Sequence, residues 1–188
     1  ALDKLAAFRK VFDRFNNNCG EYYVPCAFLT IDEQLVAFRG RCPFRQFMKS
    51  KPAKYGIKIF TMTDAKMFYV SKMEIYVGNQ PENSPFTQSN KPKDVVLRLV
   101  SQVERSGRNI TADNWFSSIP LVNELSSKGL TYVGTVRKNK RELPPELVSK
   151  TRTANSSIFG FSKEMTIVSY APKQTRSVVL VSSMHFDD

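Results

Sequence analysis

No two cysteines in this chain stand in a Cys-x-x-Cys spacing, and it has one histidine, His185. Three cysteines, Cys19, Cys26 and Cys42, with a single histidine give a poor set for zinc, which takes four N/S ligands or three plus water. A zinc site within the chain is therefore not expected. The odd cysteine count and the lack of a leader pattern fit a reducing, intracellular compartment. No apolar run approaches the roughly 18–20 residues of a membrane span, so no membrane partner is expected. There are no internal repeats or heptads. The start at Ala1 and the end in Met-His-Phe-Asp-Asp read as those of a fragment of a longer protein. Acidic residues are the scarcest class relative to their counterpart: 17 against 28 basic, a net charge of +11. That excess points to a polyanionic partner.

What is present is a folded composition, 41% hydrophobic, long enough for one core domain and a satellite. Residues 2–16 carry Leu5, Phe8, Phe12 and Phe15 at helical spacing, which predicts an amphipathic helix packed on the core and stopped by Asn16-Asn-Asn-Cys-Gly20. Phe28 to Phe38 reads as a strand, with Leu29 and Ile31 on one face and Thr30 and Asp32 on the other. Further strands are expected at Gly56–Met62 and Met67–Val70, the latter continuing through Ile75–Val77. The Pro- and Asn-rich stretch 78–92 is a loop. A helix follows over Asp94–Val103, then a strand over Asn109–Asp113. Next come a helix capped by Ser117 or Ser118 with Pro120 in its first turn, closed by Lys128-Gly129, and a strand over Leu130–Val136. Beyond Lys140, three β-like stretches (157–161, 165–170 and 177–183) leave the alternation and read as the start of a separate piece.

Three strands, a helix, a strand, a helix and a strand is the order of an RNase H-like core, in which the first and fourth strands are neighbours. Asp32 and Asp113 would then converge. Two carboxylates a few ångströms apart repel unless a cation lies between them. A pair of Mg²⁺ ions about 3.5–4 Å apart resolves that repulsion and supplies hydrolytic or transfer chemistry. Glu33 points to the opposite face and is the weaker candidate, while Asp64, Asp94 and Glu104 are expected to be solvated. No acidic residue occurs between Gln34 and Thr63, yet Arg39, Arg41, Arg45, Lys49, Lys51, Lys54 and Lys58 all fall there. A second basic run is Arg137-Lys-Asn-Lys-Arg141. Cations beside a metal site suit cleavage of a nucleic acid. Gly40 would let a phosphate approach the backbone closely. Trp115 and Phe116 either stack on a base or anchor the strand.

Several long motifs carry a resemblance. They are Leu29-Thr-Ile-Asp-Glu-Gln-Leu with Phe38-Arg-Gly-Arg-Cys-Pro-Phe, Lys51-Pro-Ala-Lys-Tyr-Gly-Ile-Lys58, Asn109-Ile-Thr-Ala-Asp-Asn-Trp-Phe-Ser-Ser-Ile-Pro120 and Gly134-Thr-Val-Arg-Lys-Asn-Lys-Arg141. From about Leu2 to Ser183 the sequence resembles the piggyBac transposase family. The resemblance implies an α/β, RNase H-like mixed sheet of the three-aspartate transposase type, with the start of a β-rich insertion. It implies an N-terminal flanking helical segment over 1–26, a catalytic core over 27–142 and the insertion over 143–188. Asp32 and Asp113 match the first two catalytic, metal-holding aspartates, with two Mg²⁺ ions in the complete site. Arg39, Arg41, Lys54, Asn114, Arg137 and Lys140 are the expected contacts to double-stranded DNA. The family's reaction is cleavage at transposon ends through a hairpin intermediate and joining at TTAA targets, in the nucleus. A homodimer of the full-length protein stays open. The third aspartate belongs on a helix after the insertion; Asp187 and Asp188 fall too early and are not assigned. The chain is therefore expected to be inactive alone. The alternatives are a domesticated, non-catalytic DNA-binding descendant of such a transposase and a general RNase H-like nuclease acting on RNA–DNA hybrids.

Overall fold

The computed structural model describes residues 2–149 and 151–187, so Asp188 lies outside it. The chain divides into two compact units, one up to Gln102 and one from Val103.

The first unit opens with helix α1, Arg9–Glu21, followed by strands β1 (Phe28–Ala37), β2 (Gln46–Phe47), β3 (Tyr55–Asp64) and β4 (Val70–Ile75), and helix α2 (Pro92–Val100). β3 is the central strand. It pairs antiparallel with β1 along one edge, and with β2 and β4 along the other. The alternation expected of β1 holds: Leu29 and Ile31 are buried and Asp32 is exposed. α2 begins at Pro92, whose missing N–H costs nothing in a first turn. Val95, Val96, Leu99 and Val100 form its buried face.

α1 differs from expectation at both ends. Asp3 holds the chain in turns before it, accepting from Leu5 N–H at 2.9 Å and pairing with Arg9 through Nε and a second guanidinium nitrogen. That ion pair lowers the Asp3 pKa to about 2. The helix then runs through Asn16, Asn17 and Asn18 rather than stopping there. Asn16 is buried because its side-chain amide donates to Met73 C=O and accepts from Met73 N–H, at 2.9 and 2.8 Å. It thereby completes the open edge of β4, and a tertiary contact overrides the low helix propensity of asparagine. Of the expected apolar seam only Leu5 and Phe12 are buried; Phe8 and Phe15 are 50% and 58% exposed.

The second unit holds strand β5 (Asn109–Ala112), helix α3 (Ile119–Ser127) and strands β6 (Thr131–Val136), β7 (Ser156–Phe161), β8 (Thr166–Lys173) and β9 (Arg176–Ser182). β5 and β6 are parallel, as a strand–helix–strand crossover requires. Ser118 caps α3, its Oγ accepting from Leu121 N–H at 3.3 Å. Gly129, at φ +66°, turns the chain beyond the helix. The three strands after Lys140 do not form a piece apart from this sheet. β9 hydrogen-bonds antiparallel to β6, and β8 and β7 follow outward from it. Val179 and Val181 of β9 and Tyr132 and Val136 of β6 are buried, so the apolar alternation of β9 extends one sheet.

Candidate metal and DNA site

In the first unit, β1 carries Asp32 opposite Thr61 of β3. Its Oδ1 accepts from Glu33 N–H at 2.7 Å. No other hydrogen bond to this carboxylate occurs among the described residues, and the side chain is exposed. Glu33, on the other face, is tied to Lys51: Nζ lies 3.2 Å from the carboxylate and 2.9 Å from the Glu33 carbonyl.

The basic residues around β1 divide into committed and open ones. Arg45 donates to the carbonyls of Arg39 and Gly40 at 3.0 and 3.1 Å, clamping the loop. Lys58 sits over the rings of Phe60 and Tyr76. Arg39, Arg41 and Lys54 are exposed. Lys54 takes a left-handed conformation, φ +54°, inside a turn closed by Met48 N–H donating to its carbonyl at 2.7 Å. At Gly40, a Cβ would lie 2.6 Å from the Phe38 ring. The space is filled by an aromatic side chain.

Asp64, expected to be solvated, is fully buried at the end of β3. Its carboxylate accepts from Cys26 N–H (2.6 Å), the Tyr23 hydroxyl (2.9 Å), the Cys26 thiol (3.1 Å) and the N–H groups of Lys66 and Met67. The Cys26 N–H, helped by the other donors, holds its pKa well below the usual carboxylate range, against the opposing pull of burial. Asp64 clasps the segment leading into β1 to the end of β3. Sequence spacing could not show this, because the donors come from residues 23–26 and 66–67 folded around it.

In the second unit, Asp113 follows β5 directly and is exposed. Its Oδ1 accepts from Trp115 N–H at 2.9 Å. Its carbonyl takes three donors: Phe116 N–H, Ser117 N–H and Ser117 Oγ, the last at 2.8 Å. Arg137, just past β6, donates through Nε to Asn114 Oδ1 at 3.0 Å, bringing two expected DNA contacts together. Lys140 closes the turn that begins at Arg137, its N–H on the Arg137 carbonyl. Trp115 meets the buried Phe116 edge-on at 4.7 Å.

Sequence reasoning missed Ser117 and Tyr132 as partners. Both are fully buried, with their oxygens 2.6 Å apart. Burial pushes the Tyr132 phenol up to about 12. The one available signal was Gly134 inside a strand, which often marks a close approach. A Cβ there would lie 2.6 Å from the Ala112 carbonyl and 2.7 Å from the Tyr132 hydroxyl.

Asp32 and Asp113 fit a divalent cation by donor chemistry. Each is an exposed hard-oxygen ligand with one oxygen steadied by a backbone N–H. Mg²⁺ uses few carboxylates and completes its shell with water and phosphate. Among the described residues no group of three or more His, Cys, Asp and Glu is gathered for a metal. None of the described helices is long and apolar enough to cross a membrane.

Comparison with known proteins defines the class. Residues 1–188 match the family model described as Transposase IS4, and the chain belongs to that family. A cryo-EM structure of the piggyBac transposase synaptic complex with hairpin DNA matches it with a TM-score of 0.88 and 44% identity, covering 99% of this chain and 39% of that one. Human PiggyBac transposable element-derived protein 3 is 26% identical over 147 residues, 77% of this chain and 24% of that protein. Human PiggyBac transposable element-derived protein 2 is 25% identical over 152 residues, 77% of this chain and 25% of that protein. The chain is a piggyBac-like transposase domain with an RNase H-like mixed α/β fold, and it spans about a quarter of these curated relatives.

Proposed function

We propose that the chain is part of the catalytic domain of a DNA transposase that cuts transposon ends, passes through a hairpin and joins the element at TTAA sites, acting in the nucleus. Asp32 and Asp113 each offer a carboxylate to divalent metal, with Mg²⁺ the natural choice for exposed carboxylates facing phosphate. When bound, such ions activate the attacking oxygen and stabilise the leaving one. Glu33 N–H and Trp115 N–H each hold one oxygen of their aspartate and leave the other for the ion. Arg39, Arg41 and Lys54, beyond the Ala37/Gly56 end of the β1–β3 pair, neutralise backbone phosphates further along the same duplex. Arg137, steadied by Asn114, and Lys140 neutralise those beside Asp113. The third aspartate implied by the resemblance is assigned to no residue of this chain.

The observation that carries this reading is the 44% identity, over 99% of the chain, to a transposase whose structure contains hairpin DNA. The test is nicking of a transposon-end duplex by the full-length protein. Nicking should require Mg²⁺ and vanish in Asp32→Asn and in Asp113→Asn. Nicking that persists in either variant would sink the metal assignment. A wild-type protein that binds the duplex without nicking it would shift the reading to the non-catalytic DNA-binding descendant.

A further inference from the structure

We propose that Tyr132 and Ser117 are positioning residues for Asp113, acting through a buried hydroxyl relay that sets the turn bearing its carboxylate. The metal-facing role of the relay rests on the reading of Asp113 just given.

Proton accounting fixes the direction of the relay. A serine hydroxyl has one hydrogen to give, and a carbonyl can only accept. Ser117 Oγ lies 2.8 Å from the Asp113 carbonyl and 2.6 Å from the Tyr132 hydroxyl. Its hydrogen goes to Asp113, so Tyr132 is the donor to Ser117. The phenol is fully buried, and the Tyr132 backbone that carries it is tied to Ser183 at both its N–H and its carbonyl. Tyr132 N–H donates to Ser183 Oγ at 2.8 Å, and Ser183 N–H donates to the Tyr132 carbonyl at 2.9 Å. Gly134 leaves open the space the phenol crosses to reach the end of β5.

At the receiving end, three donors from Phe116 and Ser117 converge on the Asp113 carbonyl, which fixes the turn over residues 113–117. The same turn aims Trp115 N–H at Asp113 Oδ1. One turn thus fixes Oδ1 and, with it, the side-chain rotamer, leaving Oδ2 without a hydrogen-bond donor among the described residues. Outer partners that orient a metal-holding carboxylate commonly govern affinity as well as geometry. Both hydroxyls are buried and satisfied, so nothing in solvent can replace a lost member.

The test uses the metal-free 188-residue chain with Mn²⁺ as the probe. NMR three-bond couplings report the Asp113 χ1 rotamer, and paramagnetic broadening reports the ion. Tyr132→Phe and Ser117→Ala should both average the couplings and weaken Mn²⁺ binding about tenfold, with far-UV circular dichroism unchanged. A purely structural role would lower the melting temperature and leave couplings and Mn²⁺ midpoint as in wild type, which would overturn the proposal. Where Asp113→Asn abolishes the broadening, averaged couplings with an unchanged midpoint would overturn it too. Tyr132→Phe, which removes one atom, decides the matter if Ser117→Ala fails to fold. Asp113→Asn is the separate control. If broadening survives in it, the metal reading fails, and the couplings alone decide whether the relay positions the side chain.

Discussion

Replacing Tyr132 with phenylalanine should weaken the fold at neutral pH and strengthen it, relative to wild type, in alkali. The phenol is fully buried and gives its hydrogen to Ser117. Removing a hydrogen bond of this kind costs about 1 kcal/mol. The same burial pushes the phenol up to about 12 in the folded chain. An unfolded tyrosine titrates near 10. Because the folded value is the higher one, the stability this group contributes is fully present below about pH 10 and is lost as pH rises through about 12. Two units correspond to about 2.7 kcal/mol in full, and about half of that, roughly 1.4 kcal/mol, is lost by pH 11. Tyr132→Phe has no such loss. Wild type should therefore lead by about 1 kcal/mol at pH 8 and be level with or slightly behind the variant at pH 11.

Urea unfolding of both chains between pH 8 and pH 11 checks this. Lysine and other shared titrations cancel in the difference between the two. For a chain of this size the pH 8 gap amounts to a melting shift of about 2–4 °C. Ultraviolet titration gives a second view: burial raises Tyr23 and Tyr69 as well as Tyr132, and Tyr132→Phe should remove one of the late-titrating tyrosines. A gap that keeps its sign and size from pH 8 to pH 11 would refute the reasoning, and with it the buried state of the phenol.

Gly134→Ala should destabilise by about 1–3 kcal/mol in a denaturant melt, since the new Cβ meets the Ala112 carbonyl as well as the Tyr132 hydroxyl. Adding Tyr132→Phe should recover only part of that loss; complete recovery would show that the backbone contact is harmless. Asp64→Asn should be destabilising at pH 7, and the gap to wild type should narrow as pH falls below about 4. The depressed Asp64 pKa makes its contribution present above the ordinary carboxylate range and lost in acid. Urea midpoints at pH 7 and pH 3 test this, and a pH-independent gap would reject it. Arg137→Ala should weaken duplex binding and make the log–log salt slope shallower by about 0.9. Anisotropy titrations at several salt concentrations measure that slope, and an unchanged slope would remove Arg137 from the DNA contacts.

Local rules made much of the fold legible. The Leu29/Ile31 against Thr30/Asp32 alternation, the Ser118 cap with Pro120 behind it and the Gly129 stop are each set by near neighbours, and each stands as read. What was not legible depends on partners far along the chain. Asn16 belongs to a helix because Met73, 57 residues on, completes its amide. Asp64 looks like a turn residue until residues 23–26 close over it. The strands after Lys140 look detached until β9 takes its place beside β6. At the site, the candidate aspartates stood out by their position on or after strands, whereas Ser117 and Tyr132 are ordinary in sequence and are matched only by packing.

The acids that lie within strands show what packing adds to sequence position. Among the described residues there are four: Asp32, Glu33, Asp64 and Glu74. Glu33 has Lys51 at 3.2 Å, Glu74 has Arg98 at 2.7 Å, and Asp64 has its ring of donors. Each is a structural acid whose charge is answered within the fold. Asp32 receives only the N–H of its neighbour among the described residues, although Arg39 and Arg41 follow within ten positions. A strand carboxylate without a cation contributes little to folding, and a polar neutral residue would hold the same amide bond. The cations that follow it in sequence are likewise kept out of the protein's own ion pairs: Arg39, Arg41, Lys49 and Lys54 are exposed and bind no acid among the described residues, while Arg45, Lys51 and Lys58 are committed. An acid and several cations left unpaired on one stretch of chain, where the fold elsewhere joins such groups, suit the kind of ligand proposed above, one that brings both signs. A metal ion bound to a phosphate backbone is such a ligand.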